Sequence, residues 1–221
     1  QANVPIIPAF LDGATINLST LYHKDPRDIA AYTISEAARY LGVPASTVRA
    51  WFAGVNYAKD SSRQSFRAVI KPAEPKTLGL SFSNLVEAYV LAAIRRKHRI
   101  GLPTIRKGLL LLTEKLNSPR PLLNAQFATK GAELLVEHLG EFVNLSRNGQ
   151  VEMKALILAY LERVERDSKG MPIKLYPFMR TQPLRDQPRS VVIDPRISFG
   201  RPVLAGTAIP TAVLAERSEE H

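Results

Sequence analysis

The stretch from Tyr32 to Phe52, Y-T-I-S-E-A-A-R-Y-L-G-V-P-A-S-T-V-R-A-W-F, constrains the fold more than any other part of this 221-residue chain. Thr33 and Glu36 have the spacing of a capping box, in which the hydroxyl accepts from the Glu36 amide and the carboxylate accepts from the Thr33 amide. A helix therefore starts just after Thr33. Ile34, Ala37, Ala38 and Leu41 recur at helical spacing, the two alanines admit another helix at close range, and Gly42 supplies the positive φ that ends the helix. Pro44 suits the first turn of a second helix. From about Ala45 that helix buries Val48 and either Trp51 or Phe52, leaving Ser46, Thr47 and Arg49 outward. This is the grammar of a helix-turn-helix. Short polar groups and a guanidinium at the start of its second helix suit a major groove, where the arginine meets guanine or phosphate. The competing reading is an ordinary helical hairpin with a solvated face.

Charge favours the first reading. Lys and Arg number 30 against 20 Asp and Glu, a net charge of +10, and the pI is near 10.0, so polyanions are the natural partners and nucleic acid the first candidate. With 45% apolar and 23% charged residues the chain is globular and long enough to bury a core. No apolar run reaches spanning length and no basic amphipathic helix carries an aromatic face, which argues against a membrane partner. Cysteine is absent, removing disulfides and thiolate chemistry. The beginning of the chain lacks a charged region followed by an apolar one, so a cytoplasmic location is expected. An enzyme is not expected either: there are four scattered histidines, no Gly-rich phosphate loop and no paired-carboxylate signature, and no cofactor or metal is called for.

Residues 1–31 form an N-terminal extension, in which Pro5 to Leu11 is a proline-interrupted apolar segment suited to extended packing, and Lys24 to Asp28 is a loop. After Phe52, Gly54 and Asn56 break the helix. Ser65 to Ile70 then reads as a strand that pairs with Tyr57 and its neighbours across Asp60-Ser61-Ser62, a small basic wing carrying Arg63 and Arg67 beside the recognition helix. A solvated loop is the alternative. Leu80 begins a helix with Leu85, Ala88, Tyr89, Ala92 and Ala93 at spacings of three and four, ending in Arg95 to Arg99. Those cations complement the helix dipole, or meet phosphate. Pro103 opens another helix through Ile105, Leu109, Leu110, Leu112 and Leu116, whose leucines on more than one face predict burial on both sides or a dimer contact.

The order of capped helix-turn-helix, wing and the helical pair LSFSNLVEAYVLAAIRRKHRIGLPTIRKGLLLL resembles the DNA-binding half of MerR-type regulators, over roughly Tyr32 to Leu112. The family opens on Y-T-I-x-E-x-A-x-x-x-G-V. The resemblance implies that Ser46, Thr47 and Arg49 lie on the recognition helix and that Arg63 and Arg67 lie in the wing. Where that family often has G-V-S-P, this chain has Val43-Pro44, which leaves the register of the base-reading residues open by about one position.

Residues 32–118 are thus read as a winged helix-turn-helix domain, and residues 119–180 as a small α+β module, a candidate for dimerisation. In that module Gln126 to Thr129 and Glu133 to Val136 suggest a hairpin, Phe142 to Leu145 a third strand, Val151 to Val164 a helix, and Ile173 to Phe178 an edge strand. Glu133, Glu137 and His138 fit solvated charges better than a metal or acid-base site. The overall fold class is α+β, mainly α. A polar linker, residues 181–190, leads to Asp194 to Pro210, where glycines and prolines enforce tight turns and Pro210 opens a helix from Thr211 to Glu216.

That last string resembles the start of an antitoxin-associated domain with the pattern D-P-x-I-x-x-G-x-P-x-[IL]-x-G-T-x-I-P; residues 191–221 end before its further helices, so the domain is expected to be truncated. A MerR-like reader joined to this element resembles a VapB-type antitoxin. The resemblance implies a DNA-binding antitoxin of a bacterial type II toxin-antitoxin pair, a homodimer that holds a PIN-domain ribonuclease toxin inactive and represses its own operon through a double-stranded operator. An arginine suits an acidic metal-dependent nuclease site, and Arg189, Arg196 and Arg201 are the candidates for toxin contact. A MerR-like regulator that senses a ligand and has no toxin partner is the alternative; it requires an enclosed pocket in residues 119–180.

Overall fold

A computed structural model describes residues 25–59, 62–98, 100–127, 130–143, 145–177 and 187–219. The Pro5 to Leu11 segment, Lys24, Arg99 and most of the expected linker lie outside them. Asp25 caps a 3-10 turn, Pro26–Asp28, by accepting from the Arg27 amide at 2.9 Å. Strand β1 (Ala30–Tyr32) then pairs antiparallel with β4 (Leu80–Ser81), and the helix-turn-helix lies between them in the chain. Helix α1 (Ile34–Leu41) carries the anticipated capping box: Glu36 accepts from the Thr33 amide at 2.9 Å, and Thr33 Oγ1 from the Glu36 amide at 3.2 Å. Gly42 ends it at φ 66°, a conformation that costs a side-chain-bearing residue free energy.

Helix α2 (Ala45–Ala53) buries Val48, Trp51 and Phe52. Both aromatic residues go inside, because Val69 and Ile70 fold back over the end of α2 and donate their amides to the Trp51 carbonyl at 2.8 and 3.0 Å. The same fold-back corrects the expected wing. Its strands are β2 (Val55–Lys59) and β3 (Ser62–Phe66), with Val55 opposite Phe66 and Tyr57 opposite Gln64. The second strand ends at Phe66 and does not run to Ile70, which is 5% exposed and belongs to the core. Asp60 and Ser61 lie outside the described residues.

Helix α3 (Phe82–His98) is buried on all sides from Phe82 to Ile94, the signature of a central helix. It begins two residues later than Leu80 because Leu80–Ser81 pairs with β1 and Ser81 Oγ accepts from the Asn84 amide at 3.2 Å, closing the first turn. Its buried Glu87 accepts twice from Arg120, at 2.7 and 3.1 Å, and Arg120 also donates to Asp28 at 2.7 Å. Helix α4 (Leu102–Lys115) has Pro103 in its first turn and buries Ile105, Leu109 and Leu112, while Leu110 is 63% exposed.

Residues 119–177 depart furthest from expectation. Of the proposed hairpin and third strand, Gln126 and Phe127 fall in a 3-10 turn (Ala125–Phe127), and Glu133 to Val136 and Phe142 with Val143 belong to a helix, α5 (Gly131–Val143). Residues 128, 129 and 144 lie outside the described residues. Ala132, Leu135, Val136 and Leu139 are the buried stripe of α5. That is a helical period, which the short apolar run Glu133 to Val136 concealed when read alone. Helix α6 (Arg147–Leu161) starts earlier than Val151, where Ser146 Oγ accepts from the Gly149 amide, and ends before Val164. Of the apolar residues Met153, Leu156, Ile157, Tyr160, Leu161 and Val164, whose spacing predicts one buried stripe, it buries Met153, Ile157, Tyr160 and Leu161, while Leu156 is half-buried. Val164 instead begins β5 (Val164–Arg166), paired antiparallel with β6 (Pro172–Leu175). The expected edge strand is thus shorter than Ile173 to Phe178, and Phe178 lies outside the described residues.

Strand β7 (Val191–Val192) pairs with β8 (Val203–Leu204), and the neighbouring Ile193 exchanges two backbone bonds with Leu175 at 2.8 and 3.0 Å. Helix α7 (Thr211–Glu219) follows Pro210 and runs past Glu216. A single apolar core joins Tyr32, α1, α2 and α3 to α4, α5, α6 and Ile193; α3 packs on α6, and α5 on both α4 and α6. The fold is mainly helical, with small antiparallel sheets.

Candidate nucleic-acid interface

The outward face of α2 is held by what lies beneath it. Val48, Trp51 and Phe52 are at most 2% exposed, so the residues between them are turned away from the core. Ser46 and Arg49 are exposed and Thr47 is half-buried. The two helices of the motif differ at their starts. Whereas α1 is closed by Thr33, α2 follows Pro44, which supplies no side-chain cap; its carbonyl takes the Thr47 and Val48 amides at 2.9 and 3.2 Å. The positive end of α2 is therefore left without a neutralising side-chain acceptor, a condition that favours phosphate.

Arg63 lies on β3 opposite Ala58, and Arg67 is exposed one residue past that strand. Arg106 on α4 donates to the Ala68 carbonyl at 3.0 Å, just past the β2–β3 hairpin. Ser46 and Arg49 thus share one exposed helix face, and the hairpin bearing Arg63 follows it directly in the chain. Of the expected basic cluster, Arg95 is half-buried near the end of α3.

The three C-terminal arginines are distributed differently. Asp194, 1% exposed, accepts from the Arg196 amide at 2.9 Å and from its guanidinium at 3.1 and 2.9 Å. Burial pushes the Asp194 carboxyl up, but the hydrogen bonds from Arg196 outweigh it and the net shift is downward. Arg201 reaches to 3.9 Å from Glu36, inside the capping box of α1. Arg189 lies apart from both, donating to the Glu162 carbonyl at 2.8 Å with its guanidinium 5.4 Å from the Tyr176 ring. The end of the expected linker is also anchored, since the buried Arg163 donates to the carbonyls of Gln187 and Pro188 at 2.9 and 3.0 Å.

Two features here had no counterpart in the sequence reading. The Tyr32 hydroxyl donates to the Gly200 carbonyl at 2.9 Å, tying the C-terminal turn to the entrance of the helix-turn-helix. Burial pushes the Tyr32 phenol well above its usual range. Gly200 has φ 75°, and a methyl group there would overlap the Tyr32 hydroxyl, so glycine is required on both counts. Beside it Phe199 is 90% exposed, at φ 55°. The glycine was visible in the motif; its partner, 168 residues away, left no local trace.

Residues 30–109 match a family model described as "Putative DNA-binding HTH domain". Over 203 residues the chain is 30% identical to "Putative antitoxin VapB45" of Mycobacterium tuberculosis, an alignment that covers 84% of this chain and 81% of that protein. The chain belongs to the VapB45 antitoxin family. The crystal structure of Rv2018 from Mycobacterium tuberculosis is similar in fold, with a TM-score of 0.60 at 22% identity over 87% of each chain. The matched domain runs from β1 into α4 and so takes in the helix-turn-helix, the β2–β3 hairpin and the central helix α3. This member of the family therefore joins a DNA-binding helix-turn-helix to an antitoxin-like chain. No helix among its described residues is long and apolar enough to cross a membrane.

Proposed function

We propose that this chain is the DNA-binding antitoxin of a bacterial type II toxin-antitoxin pair, a non-enzymatic cytoplasmic regulator that neutralises a PIN-domain ribonuclease and represses its own operon. The observation that carries the reading is the anchored, uncapped α2 with Ser46 and Arg49 turned outward, on a chain of the VapB45 family. Ser46, Thr47 and Arg49 meet base edges in the major groove, and Arg63 and Arg67 take adjacent phosphates, as in a MerR-like winged reader. One such reader covers too few bases for useful specificity, so the operator-bound form is a homodimer on paired half-sites.

Toxin contact falls to the C-terminal turn. Arg196 and Arg201 belong to one exposed turn, whose guanidiniums match a carboxylate-lined nuclease site; Arg189 contributes from its place beside Glu162 and Tyr176. Two measurements test this reading. Binding to DNA from the chain's own promoter weakens steeply with salt, as counterion release requires; salt-insensitive binding overturns the DNA assignment. Co-purification with the neighbouring gene's product is lost in the double variant Arg196→Ala, Arg201→Ala. A complex that survives places the toxin elsewhere. Deleting everything after Arg189 is a poor substitute, because it removes Val192, Ile193 and Val203 from buried positions.

A further inference from the structure

The segment that leads from the β2–β3 hairpin to α3 roofs a cavity of about 650 Å³, whose other sides are the first turns of α3, the middle of α4 and residues 119–122. Val69, Pro72, Leu109, Leu110, Pro121 and Leu122 give it apolar walls, and Leu110, 63% exposed, stands at its mouth. The roof is pinned. Asn84 Oδ1 accepts from the Ala73 amide at 2.8 Å and Asn84 Nδ2 donates to the Lys71 carbonyl at 2.9 Å, so the space is pre-formed, as ligand sites usually are. Its charges are unevenly matched, with three cations against two carboxylates among the lining residues. Both carboxylates, Asp28 and Glu87, accept from Arg120, at 2.7 Å and at 2.7 and 3.1 Å. Arg106 has no carboxylate. Its one hydrogen bond among the described residues runs from Nη2 to the Ala68 carbonyl at 3.0 Å, which leaves the Nε and Nη1 donors. Ala68 lines the cavity as well, so the guanidinium lies at its wall.

We propose that this cavity binds an aromatic organic anion. The rings lie between the leucines of α4 and the prolines around them, and the oxyanion accepts from the Nε and Nη1 donors of Arg106, which keeps its bond to Ala68. Charge-assisted bonds of this kind are the strong ones. The exposed Lys71 adds a second positive charge on the open side, while Arg120 holds both carboxylates away from the ligand. Size fits the class, because the volume falls inside the range of roughly 300–1,000 Å³ that drug-sized ligands occupy. The lining includes neither the outer face of α2 nor the C-terminal turn. Occupancy is therefore read without DNA or toxin and is independent of the function proposed above.

The test titrates the full chain with anilinonaphthalene sulfonate, a dye that lights up on apolar protein surface, and with N-phenylnaphthylamine, the same rings without the sulfonate. The sulfonate dye is expected to saturate at one molecule per chain with a Kd of about 10–100 μM. Arg106→Gln weakens it about tenfold and leaves the neutral dye unchanged. Leu110→Glu, at an exposed position that the fold does not need, places a carboxylate at the mouth and weakens the sulfonate dye at least about fivefold. Phe199→Ala removes the most exposed aromatic residue elsewhere on the described surface and changes neither titration. Variants are scored after circular dichroism shows native helix content. No saturation with the sulfonate dye up to about 500 μM overturns the site. So does a sulfonate titration unchanged in Arg106→Gln, an equal loss of both dyes in that variant, or a signal that disappears in Phe199→Ala.

Discussion

The helix-turn-helix and the C-terminal turn present opposite surfaces. In α1 and α2 the apolar residues are inward, and what faces solvent is short, polar or cationic. In the turn from Asp194 to Pro210 a phenylalanine stands 90% exposed at φ 55°, with Ile209 47% exposed and, just beyond in α7, Val213 and Leu214 at 40% and 43%. The first region uses its apolar residues in the core, which leaves short polar groups and Arg49 on the outside. The second keeps apolar groups outside at a conformational cost, a surface that gains when another surface covers it. The two are nonetheless joined, because Tyr32 and Glu36 at the start of the reader meet Gly200 and Arg201 of the turn.

That contrast is sharpest in a pair of truncations. Trp51→Ala is expected to lower stability in urea unfolding by about 3–5 kcal/mol, the cost of emptying a buried aromatic site, whereas Phe199→Ala changes it by less than about 0.5 kcal/mol. A large stability loss in Phe199→Ala would break the comparison. Arg49→Ala leaves the unfolding midpoint in place and weakens operator binding by about 1–3 kcal/mol with loss of base preference. Arg67→Ala instead lowers the salt slope of DNA binding by about one unit, the signature of a lost phosphate contact.

The junction gives smaller effects. Gly200→Ala costs about 1–3 kcal/mol in stability because it combines a positive φ with overlap at Tyr32, and Tyr32→Phe costs about 1 kcal/mol for one buried hydrogen bond. Smallest is the cap. Hydrogen bonding from Thr33, its amide first, lowers the Glu36 carboxyl below its ordinary value, with burial opposing. Its contribution is therefore complete above the unfolded value of about 4.3 and is lost as pH falls through the lower folded value. Thr33→Ala removes about 1 kcal/mol at neutral pH but keeps the residue-33 amide on Glu36, whereas Glu36→Gln removes the titrating carboxyl and with it that acid limb in pH-dependent unfolding.

The parts of the molecule that were legible beforehand are those whose causes are local. Thr33 and Glu36 lie within one turn, Gly42 and Pro44 act on their own backbone, and the stripe of Met153, Ile157, Tyr160 and Leu161 repeats inside one helix. Where a short apolar run was judged without its flanks, as at Glu133 to Val136, strand and helix were equally compatible with it, and the burial of Ala132 and Leu139 decided for helix. The wing was displaced for a similar reason. Val69 and Ile70 are good strand residues, but the core offered them the Trp51 carbonyl and burial beside it.

By itself, the sequence determined a capped helix-turn-helix with Ser46 and Arg49 on its outer face, because period, cap and turn residues all act within about twenty positions of one another. Tertiary structure alone decided that Trp51 and Phe52 are both buried, that Tyr32 anchors Gly200 from 168 residues away, and that Phe199 is left outside. It also left the Trp51 indole nitrogen buried with no hydrogen-bond partner among the described residues. Each of these depends on which distant segment arrives to cover a side chain, and no local spacing carries that information.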